Sequence, residues 1–269
     1  VKEMIFRKAD FEVLNISNIP SSEERMSLLI NMFGEQNYSI YEMVQLELNN
    51  IFDYSKETFR KMLNHSFLVG ILEKSGNIYR LSPISLNYFY KQIDIDEFIH
   101  ELIIKNSNMH KTMRIIIYLL KIFNPSLKQK TLYTVFSLIG KKRIDPSAQS
   151  SVGRNLRAYF SFLVMLGVVK REKDELVLND TPFLTNFLTK DIIGIEELFD
   201  TEVINIKNVT KYMWNFFDKP TADDILSCVS SYEIDRYIWT KSSLYKNQGE
   251  IKNLYGEYIM TLIIKRGRF

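Results

Sequence analysis

Cysteine is nearly absent from this chain. A single thiol, Cys228, among 269 residues excludes a disulfide framework and any cysteine-built zinc site, and it suits a reducing cytoplasm. Glycine and proline are scarce as well, at 10 and 6 residues against 18 Phe and 15 Tyr. That balance argues against a glycine-rich, doubly wound nucleotide-binding fold and for a mainly α, aromatic-packed one. Long apolar runs are missing too. Ile115 to Leu120 and Phe160 to Leu166 are too short to cross a bilayer, and the N-terminal residues lack a signal-peptide pattern. A cytoplasmic protein with no membrane partner is expected. Disorder is excluded by 46 % hydrophobic against 25 % charged residues, which is enough apolar surface for a core in each of two or three modules.

The net charge of +3 hides an asymmetry. Residues 1–100 carry 10 Lys/Arg against 14 Asp/Glu, residues 101–190 carry 15 against 6, and residues 191–269 carry 10 against 12. Positive charge concentrated in one third of a chain points to a polyanion as partner, so the middle third is the candidate for nucleic-acid contact.

An internal repeat is the more specific signal. Arg60 to Leu81 reads RKMLNHSFLVGILEKSGNIYRL, and Arg157 to Leu178 reads RAYFSFLVMLGVVKREKDELVL, an ungapped match at an offset of 97 residues. Gly70 falls on Gly167, Ile71 and Leu72 on Val168 and Val169, Tyr79 on Leu176, and Leu81 on Leu178. Each copy predicts a helix, a terminating glycine and a two-stranded hairpin. In the first, Phe59, Met62, Leu63, Phe67 and Leu68 form the apolar stripe behind the cap Ser55, and Lys74-Ser75-Gly76-Asn77 makes the turn. In the second, the turn is Lys170 to Asp174. Two further helical patterns precede each copy: Glu23 to Phe33 and Ile40 to Phe52, then Lys111 to Phe123 and Leu127 to Ile139, with Ser21, Ser22, Ser39 and Ser126 as cap candidates.

Three helices followed by a hairpin is the order of the winged helix-turn-helix superfamily, which residues 21–183 resemble, most of all in the passage Phe67 to Pro83. The resemblance implies two tandem winged-helix modules, mainly α with short β-hairpin wings. The first, residues 1–100, is acidic and a candidate interaction module. The second, residues 101–190, is basic. Residues 191–269 read as a mostly helical C-terminal segment, with helices at Glu196 to Phe199, Val209 to Phe217, Ala222 to Val229 and Leu254 to Ile264.

In a winged helix the third helix enters the major groove and the wing touches backbone, which places the candidate DNA contacts in the second module. Arg154, Asn155 and Arg157, beside Ser150 and Ser151, stand on its third helix as base readers. Lys170, Arg171 and Lys173 stand on its wing, and Lys141, Lys142 and Arg143 in an insertion, Gly140 to Gln149, that the first module lacks; both sets suit phosphate. The first module's third helix offers Lys56, Arg60, Lys61 and Asn64, but Glu42, Glu47, Asp53 and Glu57 surround them. Dimerisation or partner docking is as expected there as DNA contact.

No catalytic residue, metal or cofactor is assigned. His65, His100 and His110 lack ligand spacing, and Asp94, Asp96 and Glu97 read as a helix cap and its dipole partners. Phosphate-binding, nucleophile-elbow and kinase motifs are missing. The sequence therefore reads as a non-enzymatic duplex-DNA-binding protein. Two alternatives stand beside it. One is an adaptor subunit of a chromosome-organising or bacterial defence ATPase complex, by likeness of architecture. The other is a Mg-dependent nuclease, because Asp235 followed by Glu250-Ile251-Lys252 has the order of a restriction-type metal site, although 247–253 reads as a loop leading into a helix.

Overall fold

Serine and aspartate side chains start most of the N-terminal helices. In a computed structural model, which describes residues 13–123, 126–139, 151–179, 181, 203–205, 213–214, 217–232, 237–240, 251–252, 258–259 and 261–264, the Ser22 hydroxyl accepts from the Arg25 amide and opens α1 (Glu23–Phe33). Met26, Leu29, Ile30 and Phe33 then bury one stripe at helical spacing. A two-residue strand β1 (Tyr38–Ser39) leads directly into α2 (Ile40–Gln45), whose first turn is a capping box between Ser39 and Glu42. The helix anticipated over 40–52 breaks at Glu47, and a 3-10 turn over Leu48–Phe52 follows. Ser55 caps α3 (Lys56–Val69), and Gly70, at φ 89°, ends it in the left-handed conformation that glycine adopts without steric cost.

The stripe anticipated on α3 is partly wrong. Phe59, Met62 and Leu63 are buried with Ser66 and Val69, whereas Phe67 and Leu68 are exposed. Leu68 lies nine residues beyond Phe59, two and a half helical turns, and so on the opposite side. Strands β2 (Leu72–Ser75) and β3 (Ile78–Leu81) form the hairpin, with β3 in the middle of a sheet ordered β1-β3-β2. Next come α4 (Pro83–Phe89), capped by Ser82, and α5 (Ile95–Lys105), where Asp94 Oδ1 accepts from the Glu97 amide at 2.8 Å as the cap reading anticipates.

The same order then recurs. Helix α6 (Ser107–Ile122), strand β4 (Ser126–Lys128), helices α7 (Gln129–Ile139) and α8 (Ser151–Met165) and strands β5 (Val169–Glu172) and β6 (Glu175–Leu178) follow one another, with strand order β4-β6-β5. Residues 126–128, anticipated as the start of a helix, pair instead with the returning strand, Leu127 opposite Leu176.

The final third departs from the helical expectation. Its described residues hold β7 (Val203–Asn205), α9 (Lys219–Tyr232), β8 (Tyr237–Thr240), β9 (Ile251–Lys252), β10 (Tyr258–Ile259) and β11 (Thr261–Ile264). The helix anticipated over Leu254 to Ile264 is strand at 258–259 and 261–264. There β11 pairs antiparallel with both β7 and β8. A short β-rich run bounded by polar residues fits either periodicity in sequence, and pairing partners distant in the chain decide it.

The chain divides into two compact units that ignore the thirds read from charge. One comprises residues 13–113 and 154–169, the other residues 1–12, 114–153 and 170–269. In the first unit Ile16, Phe59, Met62, Phe98, Leu102, Leu156 and Phe160 are among the buried side chains. In the second, α9 packs along α7 and contributes Ala222, Ile225, Leu226 and Val229 to the core. Cys228 is a buried thiol on α9.

Candidate nucleic-acid interface

Helix α8 buries Val152, Leu156, Tyr159, Phe160 and Leu163, a helical stripe that fixes which residues face out. Arg154, Arg157 and Val164 are exposed and Ser161 half-buried along the opposite side. Asn155 is not among them. At 6 % exposure it sits on the inner side beside Leu156, so it is removed from the expected base readers, because a residue one step from Arg154 is turned about 100° around the helix. Ser150 lies outside the described residues, and for Ser151 only the backbone is described.

Gly167, at φ 66°, ends the helix as Gly70 does, and the closing hydrogen bonds match pair for pair. Ile71 N donates to Ser66 O and Val168 N to Leu163 O, each at 2.9 Å. In the hairpin that follows, Lys170, Arg171 and Lys173 are all exposed. Lys173 takes φ 54° at the turn, the place that Gly76 holds at φ 58° in the first copy. A lysine in that region carries a strain of roughly 1 kcal/mol that glycine avoids. Glu172, Asp174 and Glu175 share the same hairpin, which therefore has no net charge, and the Ser126 hydroxyl donates to Glu175 at 3.1 Å. The excess positive charge of the middle third thus lies outside its hairpin. Lys141, Lys142 and Arg143 fall outside the described residues.

In the first copy several cations have local partners, although Lys56 and Arg60 on α3 are exposed and in no ion pair among the described residues. Lys61 Nζ stands 2.6 Å from Glu57, one helical turn away, and holds that carboxyl below its ordinary range, first by donating to it and then by its charge. Arg80 donates through both Nε and Nη2 to Glu73 across the hairpin, at 2.9 and 2.7 Å. Lys74 Nζ lies over the Tyr79 ring at 5.0 Å, and Arg25 both lies over Tyr54 at 5.4 Å and donates to its hydroxyl. At the matching places the second copy has Arg154 for Glu57 and Lys170 for Glu73, with Val177 where Arg80 would answer. Among the described residues, none of Arg154, Lys170, Arg171 and Lys173 is in an ion pair, and the contrast with the first copy lies at the positions of Glu57 and Glu73.

No family model, curated protein or solved structure matches the chain. Its chemistry is therefore read from its own two copies. Sequence reasoning passed over Lys128 and Lys130, which sit where β4 turns into α7, Lys130 exposed and Lys128 half-buried. Their signal was masked when Ser126 was read as a helix cap instead of the first residue of a strand.

The remaining chemistry is sparse. Among the described residues no group of three or more His, Cys, Asp or Glu is placed to hold a metal ion, and no helix is long and apolar enough to cross a membrane. His65 is buried, and its Nδ1 accepts from the Asn18 amide at 3.1 Å. Burial, and then the nearby Lys61 charge, lower its pKa. Asp235 and Glu250 lie outside the described residues; Lys252 does fall on a strand, β9, where the sequence suggested a loop.

Proposed function

We propose that the chain is a non-enzymatic tandem winged-helix protein that binds duplex DNA through its second copy, with Arg154 and Arg157 on α8 as the groove-facing cations and Lys170, Arg171 and Lys173 on the wing as phosphate contacts. Two copies of helix, strand, helix, helix and hairpin, each with the returning strand central in its sheet, support the architecture. The observation that carries the DNA reading is the exchange of paired for unpaired charge at matching positions, Glu57 to Arg154 and Glu73 to Lys170. An exposed cation without a carboxylate partner keeps its full attraction for phosphate, and the counterions it displaces from DNA favour binding.

The test titrates the full chain against labelled duplex at low and moderate salt. Affinity should fall steeply with salt, and Arg154→Ala with Arg157→Ala should cost on the order of 1–3 kcal/mol per lost base contact. Lys170→Ala, Arg171→Ala and Lys173→Ala together should weaken all duplexes alike and reduce the salt slope by roughly one unit per phosphate contact. Lys56→Ala, Arg60→Ala and Lys61→Ala in the first copy should leave affinity within about a few-fold, because the acids around them repel phosphate. Undetectable binding at low salt overturns the reading in favour of the adaptor, a protein connector in a larger complex.

A further inference from the structure

We propose that the exposed face of α2 and the 3-10 turn after it is the docking site for a basic amphipathic helix of a partner protein. The two copies can be aligned residue by residue here, because their sheets share one register. Tyr38 stands opposite Tyr79 in the first sheet and Leu127 opposite Leu176 in the second, and Tyr79 and Leu176 are themselves matching residues. Ile40, the first residue of α2, then corresponds to Gln129, the first of α7, so that Glu42 matches Thr131 and Leu46 matches Val135.

The matching positions differ in what covers them. Thr131 and Val135 are both 0 % exposed, on a helix along which α9 is packed. Leu46 is 60 % exposed, and Tyr41 and Ile51 beside it in the chain are 72 % and 46 % exposed. Leu46 is thus bare where its counterpart Val135 is covered, whereas Lys130, the counterpart of Tyr41, is exposed as Tyr41 is.

Charge says what would cover it. From residue 26 to residue 55 there is no lysine or arginine, while Glu35, Glu42, Glu47 and Asp53 fall in that stretch. Glu42, Glu47 and Asp53 are exposed on the same segment as Tyr41, Leu46 and Ile51. Glu47 and Asp53 take left-handed backbone, φ 52° and 56°, on either side of the 3-10 turn. The turn is held by Asn49, which donates to Tyr54 O at 2.8 Å, and by Asn50, which donates to Glu47 at 3.2 Å. Strained backbone kept in place by its own side chains presents Leu46 and Ile51 outward instead of letting them fold in. The acids repel nucleic acid, and they complement a helix with an apolar stripe and lysine or arginine on its flanks.

The probe is a synthetic Leu/Lys peptide of about 18 residues with leucines at helical spacing, labelled and titrated by fluorescence anisotropy against the full chain at physiological salt. Saturable binding is expected. Leu46→Ser with Ile51→Ser should weaken it at least about tenfold, since apolar anchors carry most of the energy of such a groove. Tyr41→Ser, at the most exposed of the three positions, should weaken it in a protein whose circular dichroism and melting are unchanged. Glu47→Gln with Asp53→Asn should reduce affinity and its salt dependence together. A peptide with serine in place of leucine and the same charge should not bind. The proposal is overturned if the leucine peptide does not bind, if it binds the Leu46→Ser and Ile51→Ser protein as well as wild type, or if those substitutions abolish a dimer seen by sedimentation velocity. In that last case the occupant is a second copy of this chain.

Discussion

Gly76 and Lys173 sit at the same place in two hairpins that share strand order, register and turn conformation, yet one ends in open space and the other in a cation. The contrast extends through both copies. Tyr79 and Leu176 are buried at the same point of the middle strand, and Gly70 and Gly167 end the preceding helix in the same left-handed turn. Outside that frame the positions diverge. Glu57 answers Lys61 and Glu73 answers Arg80 in the first copy, while Arg154 and Lys170 stand in their places in the second with no carboxylate partner among the described residues. Core positions must fill a fixed volume and so keep their character through divergence. Exposed positions cost little to change, and there the two copies diverge.

The core equivalence is the first point at which this comparison can be broken, and the expected effect is the largest. Tyr79→Ala and Leu176→Ala each remove a fully buried side chain from the centre of a three-stranded sheet and should each cost roughly 2–5 kcal/mol. The Tyr79 change also removes the hydrogen bond that the Tyr79 hydroxyl donates to Asn64 Oδ1 at 2.6 Å. Urea unfolding of the two variants measures this. A change near zero in one alone would show that the two hairpins are not equivalent.

A smaller effect separates the copies by pH. The position that matches His65 holds Phe162, so only the first copy carries a titratable group there. Its pKa is lowered from 6.5 by burial and by Lys61, the one charge that acts on it strongly, because protonation would add a charge beside an ammonium and remove the acceptor of the Asn18 amide. A depressed pKa contributes stability that is present above the unfolded value and is lost as pH falls through the folded one. Hydrogen exchange at the Asn18 amide should therefore quicken as pH drops below about 6.5, beyond the intrinsic pH dependence of exchange. His65→Gln, which keeps an acceptor and cannot take up the proton, should remove that excess.

The turn gives the smallest and sharpest test. Lys173→Gly relieves left-handed strain and should stabilise by at most about 1 kcal/mol, whereas Gly76→Lys should destabilise by a similar amount. A Cβ at Gly76 meets nothing within 4 Å, so any cost of that substitution is conformational and not steric. If Lys173→Gly gains stability and loses DNA affinity together, the strain at the tip of the second hairpin is maintained for contact with phosphate.

Much of the frame is legible in one dimension. Capping serines, the apolar stripe of α1, the glycines at 70 and 167 and the alternation through Tyr79 and Leu81 are local signals, and helices and hairpins respond to local chemistry. The ungapped match over 22 residues showed that the two copies share a backbone, and both hairpins lie at that offset, β2 on β5 and β3 on β6. The excess of charge in the middle third was equally plain.

What could not be read was set by neighbours distant in the chain. Asn155 looked like a base reader because its side chain suits adenine, and only the packing of Leu156 and Tyr159 turned it inward. Ser126 to Lys128 looked like a helix start until pairing with Glu175 to Val177 made it a strand. Residues 258–259 and 261–264 had helical spacing and became strands because β9 was there to pair with the first pair, and β7 and β8 with the rest. Glu57 and Lys61 are visible as a pair at i and i+4, but Glu73 with Arg80 is a pair only once the hairpin has closed. Sequence alone determined where the backbone turns and which residues are apolar. Tertiary structure decided which charges are already answered and which surfaces are already covered, because both depend on groups that meet only after the chain has folded.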